Sequence, residues 1–192
     1  MSRSAGAFLR VAIVLVLAVV LQLSGASSIG ILGGHADLVI LAVAAIAFYG
    51  GSLPGSAAGF TAGFLLDLLS GATMGASSLV LTAVGYSVGR YREIRDPSHG
   101  LVPVPVGAAA TAAWVIAFAA VSLMLDIGAR VSPLVLRDML ATVLLNAFIA
   151  LPLFTGVRKL LRPVLAVDPL EVRRRRQPPR EAGPIGLRGL EV

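Results

Sequence analysis

The sequence predicts an all-α integral membrane protein of about six transmembrane helices with both termini on the cytoplasmic side. Three observations lead there. The chain of 192 residues is 57% hydrophobic and only 14% charged, with a mean hydropathy of +0.89. A soluble domain carries about 25% charged residues, so this chain has too little polar surface to cover a water-soluble globule. The apolar residues fall into runs, and the arginines cluster before the first run, in the fourth gap and after the sixth run, with Arg130 in the fifth gap and Arg137 near the start of the sixth run.

The first run, Phe8 to Leu23, follows Arg3 and Arg10. It reads as a signal-anchor instead of a cleaved leader, although Gly25-Ala26-Ser27 supplies small residues of the cleavage type. Leu38 to Leu53 is the second run, closed by Pro54. Gly55 to Leu69, Ser78 to Gly89, Leu101 to Leu125 and Leu134 to Val157 follow. The second to fourth are short against the roughly 20 residues that cross ~30 Å of hydrocarbon, and a re-entrant segment among them is the alternative. The loops Ser24 to Asp37, Gly50 to Gly55 and Ser70 to Ala76 hold no arginine or lysine. Arg90, Arg92 and Arg95 fill the fourth gap, and Arg158, Lys159 and Arg162 follow the sixth run. Six crossings place these basic clusters on one face, which the positive-inside rule makes cytoplasmic.

Residues 1–162 are thus expected to form the polytopic domain, and 163–192 a disordered cytoplasmic tail rich in proline and arginine. Arg173, Arg174, Arg175 and Arg176 suit contact with anionic lipid at ~1 kcal/mol each, or a cytoplasmic partner. No aromatics interleave these arginines, so nucleic acid is not the expected partner.

The most specific pattern surrounds the third run. Gly51, Gly55, Gly59 and Gly63 recur at every fourth position, Asp67 takes the next place, and Gly71 and Gly75 continue. Residues four apart share a helix face, and a glycine face lets another backbone approach closely in lipid. Gly85 and Gly89 give the fourth run the same spacing. The face packs either within the chain or against another protein's helix. Asp67 lies ~18 Å along its helix from Gly55, in the outer half. We expect it to pair with Arg137 near the outer surface, where Asp37 and Asp138 also lie. Asn146 is a candidate for a bond to a neighbouring helix or to its own.

Gly59-Phe60, Gly63-Phe64-Leu65-Leu66-Asp67, Gly71 and Met74-Gly75 resemble the signature of the rod shape-determining protein MreD family. That signature reads Gly-Phe-x-x-Gly-Leu-x-x-Asp, a short turn, then Leu-Gly. Phe64 stands here for the usual leucine, and Met74 for the second one. Ala36-Asp37-Leu38 lacks the proline that often opens the second helix. The likeness covers about residues 36 to 92. It implies a non-catalytic component of the bacterial inner membrane that serves cell elongation, cell shape and lateral peptidoglycan synthesis. Its implied partners are MreC, the MreB filament, RodA and a penicillin-binding synthase. The implied fold is similar to the substrate-binding subunits of energy-coupling factor transporters.

A solute-binding transport subunit is the alternative, with a pocket near Asp37, Asp67 and Arg137. An enzyme is not expected. Gly75-Ala76-Ser77-Ser78 bears a passing resemblance to a rhomboid protease segment, but such a serine needs a base, and His35 and His99 both fall in loops. The chain has no cysteine, no phosphate loop and no paired carboxylates, so no catalytic residue, metal site or cofactor is assigned.

Overall fold

A computed structural model describes residues 3–25, 30–31, 34–71, 74–95, 102–124 and 133–165. Six helices run in chain order: α1 (Arg3–Leu23), α2 (Leu38–Gly50), α3 (Ser52–Ser70), α4 (Ala76–Ile94), α5 (Pro103–Met124) and α6 (Pro133–Leu165). Two-residue strands β1 (Gly30–Ile31) and β2 (Gly34–His35) precede α2 and pair antiparallel. The loop after the first run was not expected to carry this hairpin. Gly34 lies directly on the backbone of Ala141 and Thr142 in α6, where a Cβ has no room. The arginine tail, including Arg173 to Arg176, lies outside the described residues.

Helix α2 is the centre of the bundle. Ten consecutive residues, Val39 to Phe48, are buried. A helix that is apolar all round belongs in an interior, and α2 touches all five other helices. The outward faces of α1, α5 and α6 carry large exposed side chains such as Phe8, Ile116, Leu140 and Phe148. Such faces suit hydrocarbon, not water. Two stretches, Pro103–Val121 and Val135–Leu161, are long and apolar enough to cross a membrane by themselves, while Phe8–Leu23 and Leu38–Gly50 are shorter apolar helices.

The break between α2 and α3 falls at Gly51, not at Pro54. Gly51 has φ +95°, in the left-handed region that favours glycine. Pro54 sits in the first turn of α3, where its missing N–H costs no helical bond.

At 13 residues α2 spans roughly 20 Å, too little for the hydrocarbon alone. Polar groups from its neighbours reach its ends. At its start, the Asp37 N–H donates to the Asn146 side-chain oxygen at 3.1 Å. Gln22 of α1 accepts from the Val39 N–H at 2.8 Å and donates to the Asp37 carboxyl at 2.9 Å. Asn146 also donates to Thr111 of α5 at 3.3 Å, and Thr142 accepts from the His35 N–H at 3.1 Å. Asn146 thus ties α2 and α5 to α6 and does not bond its own helix. Gln22 and Thr111 were not singled out in the sequence. At the far end, Arg92 of α4 donates to the carbonyl of Tyr49 at 3.1 Å.

Asp37 stands just before α2, and burial pushes its carboxyl up to about 6, against the opposing effects of His35 and the Gln22 bond. Protonated Asp37 is therefore favoured by the fold. This contribution is complete below about pH 4 and is lost as pH rises through about 6. Thermal unfolding in detergent should show stability falling across that window, and Asp37→Asn should flatten it. Asn146→Ala should cost about 1–2 kcal/mol in the same measurement, near the upper end for bonds between membrane helices.

Candidate functional site

Helices α3 and α4 form the tightest pair in the molecule, and the residues singled out in the sequence meet there. Asp67 is 1% exposed. It lies in the last turns of α3 and faces the start of α4. Its carboxyl oxygens accept the backbone N–H of Gly75 at 2.9 Å, of Ser77 at 3.3 Å and of Ser78 at 3.4 Å. The first N–H groups of a helix have no partner within it, and they carry the positive end of its dipole. Gly75, at the cap position of α4, has no side chain to meet them. Asp67 supplies the missing cap from the neighbouring helix.

The expected pair of Asp67 with Arg137 is therefore corrected. The carboxyl of Asp67 turns inward to the α4 amides. The Arg137 guanidinium is 61% exposed and lies 3.6 Å from Asp138. Shared depth along the bundle placed them at one level, but the unsatisfied helix start outcompetes a surface arginine.

The glycines divide into two groups. A Cβ on Gly55 would stand 2.5 Å from the carbonyl oxygen of Gly85, and one on Gly59 would run into the carbonyl of Leu81. One on Gly63 would meet the backbone of Ser78. Gly85 faces Gly55 in return, and Gly89 faces Gly51. These five residues let two backbones touch, so the ladder is filled from within the chain. Gly71 and Gly75 have open space around them and take φ of +67° and +96°. They shape the turn and are not part of the packing face. The hydroxyl of Ser78 adds a bond across the pair, to the Phe60 carbonyl at 3.1 Å.

The opposite end of the hairpin repeats the arrangement. Glu93, near the end of α4, accepts from the N–H of Ser52 at 2.8 Å and from its hydroxyl at 2.7 Å. Ser52 opens α3. These two bonds, and then Arg90, hold the Glu93 carboxyl below the usual carboxylate range. Each helix of the pair thus carries, near its C-terminus, the acid that caps the other's N-terminus. Glu93 was not singled out in the sequence. The signal available was a lone acid among the arginines Arg90, Arg92 and Arg95.

On the acidic side the described residues close up. Gln22, Asp37, Leu66, Leu81 and Trp114 line a cleft with a free volume of about 0 Å³, against the ~300–1,000 Å³ of small-molecule sites. No group of three potential metal ligands occurs among the described residues.

These features define a helical membrane protein whose distinguishing part is a capped, glycine-packed hairpin set against a buried central helix. The family model for the rod shape-determining protein MreD matches residues 2–164, and the chain belongs to that family. No curated protein and no solved structure matches it.

Two outcomes are expected. Gly59→Ala should destabilise the protein by about 1–3 kcal/mol, because backbone cannot yield to the methyl group. Gly156→Ala in α6, with nothing near its Cβ, should be neutral or stabilise by up to ~1 kcal/mol. Equal effects of the two, read by thermal unfolding in detergent, would remove the close-packing argument. Asp67→Leu should cost more stability than Asp67→Asn, which keeps one acceptor oxygen for the α4 amides.

Proposed function

We propose that this protein is a non-catalytic scaffold of the bacterial inner membrane that positions the proteins of lateral wall synthesis during cell elongation. The match to the shape-determining family over residues 2–164 carries the reading. The hairpin supports it, because its acidic and glycine residues are committed to holding helices together and not to presenting reactive groups.

The distribution of charge supports a six-crossing topology with both termini inside. Arg92 lies at the end of the bundle that carries the α2–α3 turn, and Arg158 and Lys159 follow Phe154, which packs on Phe48 and Tyr49 of that same end. Asp37, Asp67 and Asp138 gather at the other end. The basic end is cytoplasmic by the positive-inside rule. Arg173 to Arg176 would then meet anionic lipid on that side.

The partners in this reading are MreC, the MreB filament, RodA and its penicillin-binding synthase. Because the glycine ladder is occupied by α4, their transmembrane helices would meet outward-facing residues of the bundle.

Depletion in the rod-shaped host should give rounded cells, and the wild-type gene should restore rods. Asp67→Leu should restore them poorly, and immunoblotting of membranes should separate loss of function from loss of protein. Rods that persist after depletion would refute the reading. Purified protein that retains a vitamin-sized solute would favour the transport alternative.

A further inference from the structure

On the outward side of the same hairpin lies a groove of about 820 Å³. Phe60 and Phe64 form one wall, stacked at 6.3 Å with 12° between their planes. Leu79 and Tyr86 form the other. We propose that this groove holds one acyl chain of an anionic phospholipid, with the headgroup phosphate bound by Arg90.

Length is the first argument. The α4 side of the groove runs from Gly75 to Tyr86, roughly 16 Å of helix. Half of a ~30 Å hydrocarbon core is about the same depth. An acyl chain that fills one leaflet is about that long, so the groove can hold one along its whole length.

Hydrogen bonding is the second. A partner helix in lipid is held by small residues and by bonds between helices. The packing glycines of this hairpin, Gly55, Gly59, Gly63, Gly85 and Gly89, are spent on its own interior. Three of the groove's four hydroxyls are spent as well, leaving that of Tyr86: Ser56 donates to the Leu53 carbonyl, Ser78 to that of Phe60 and Thr82 to that of Ser78. What remains is an apolar channel between bulky walls, which a flexible chain can fill.

Charge is the third. Leu79, Ala83, Tyr86 and Arg90 follow one another at helical spacing, so Arg90 stands one turn beyond the groove on the same stripe. Its side chain is 57% exposed and makes one bond, to Glu93 at 3.2 Å. A guanidinium has five donors, so several remain for a phosphate. Arg95 lies over Tyr91 one turn further on, Arg92 is turned to the Tyr49 carbonyl of α2, and Glu93 is occupied by Ser52. The groove thus ends in a positively charged mouth on one side only.

Native mass spectrometry of the delipidated full-length chain tests this, with phosphatidylglycerol and phosphatidylcholine titrated separately. One phosphatidylglycerol should be retained about fivefold better than phosphatidylcholine. Arg90→Gln should bring the two lipids level. Ala83→Trp, which fills the groove, should lower retention of both, and Phe148→Ala on the outward face of α6 should change neither. Equal retention by the wild type, or a preference that survives Arg90→Gln, would overturn the proposal. So would unchanged retention in Ala83→Trp, which would place the lipid elsewhere. A dimer of this chain that Ala83→Trp dissociates would assign the groove to protein instead.

Discussion

The buried carboxyl of Asp67 decides how α3 and α4 meet. A charge-bearing side chain costs about 2.5–3.5 kcal/mol at mid-membrane on insertion scales, and somewhat less toward the surface. It is sustained here because the start of α4 has the opposite deficit. Three backbone amides point at it and have no partner within their own helix. Each group alone would be expensive in lipid, and together they satisfy one another. The register follows: Asp67 reaches these amides only if Gly63 faces Ser78, Gly59 faces Leu81 and Gly55 faces Gly85. Glu93 closes the other end on Ser52. With both ends pinned, the pair has little freedom to slide.

The same rule governs α2. Its interior is apolar throughout, so it gains nothing from a polar face and must be satisfied at its ends. Gln22, Asn146 and Arg92 do that from three different helices. The short length of α2 is thus a consequence of its central place. The neighbours close over it, and their side chains supply what water would supply to a longer helix.

Much of this was legible in the sequence. The six apolar runs correspond to six helices, and the four-residue glycine spacing pointed to the α3–α4 contact. The glycine pattern was readable because only close backbone approach requires it. The partner of Asp67 was not readable. Spacing gives the depth of a residue along its helix but not the direction in which its side chain turns. An unpaired amide leaves no mark in the sequence, whereas Arg137 does, and so the visible charge was chosen over the invisible dipole. Glu93 was missed for a related reason, since its arginine neighbours suggested topology and not capping. Gly71 and Gly75 kept the period of the ladder, yet a turn and a packing face both favour glycine, so the period alone could not separate them.

The internal use of the glycine face bears on what the bundle presents to its surroundings. A smooth glycine surface left open in lipid would attract many helices, because close backbone contact carries little side-chain specificity. Here α4 occupies that surface. What the bundle offers outward is a set of shaped apolar walls, with charges confined to its ends. Recognition through such walls rests on shape, and shape is kept only if the underlying helices hold their register. The two acidic caps maintain that register. Their contribution is therefore indirect: they fix the shape of the outward apolar surface without forming part of it.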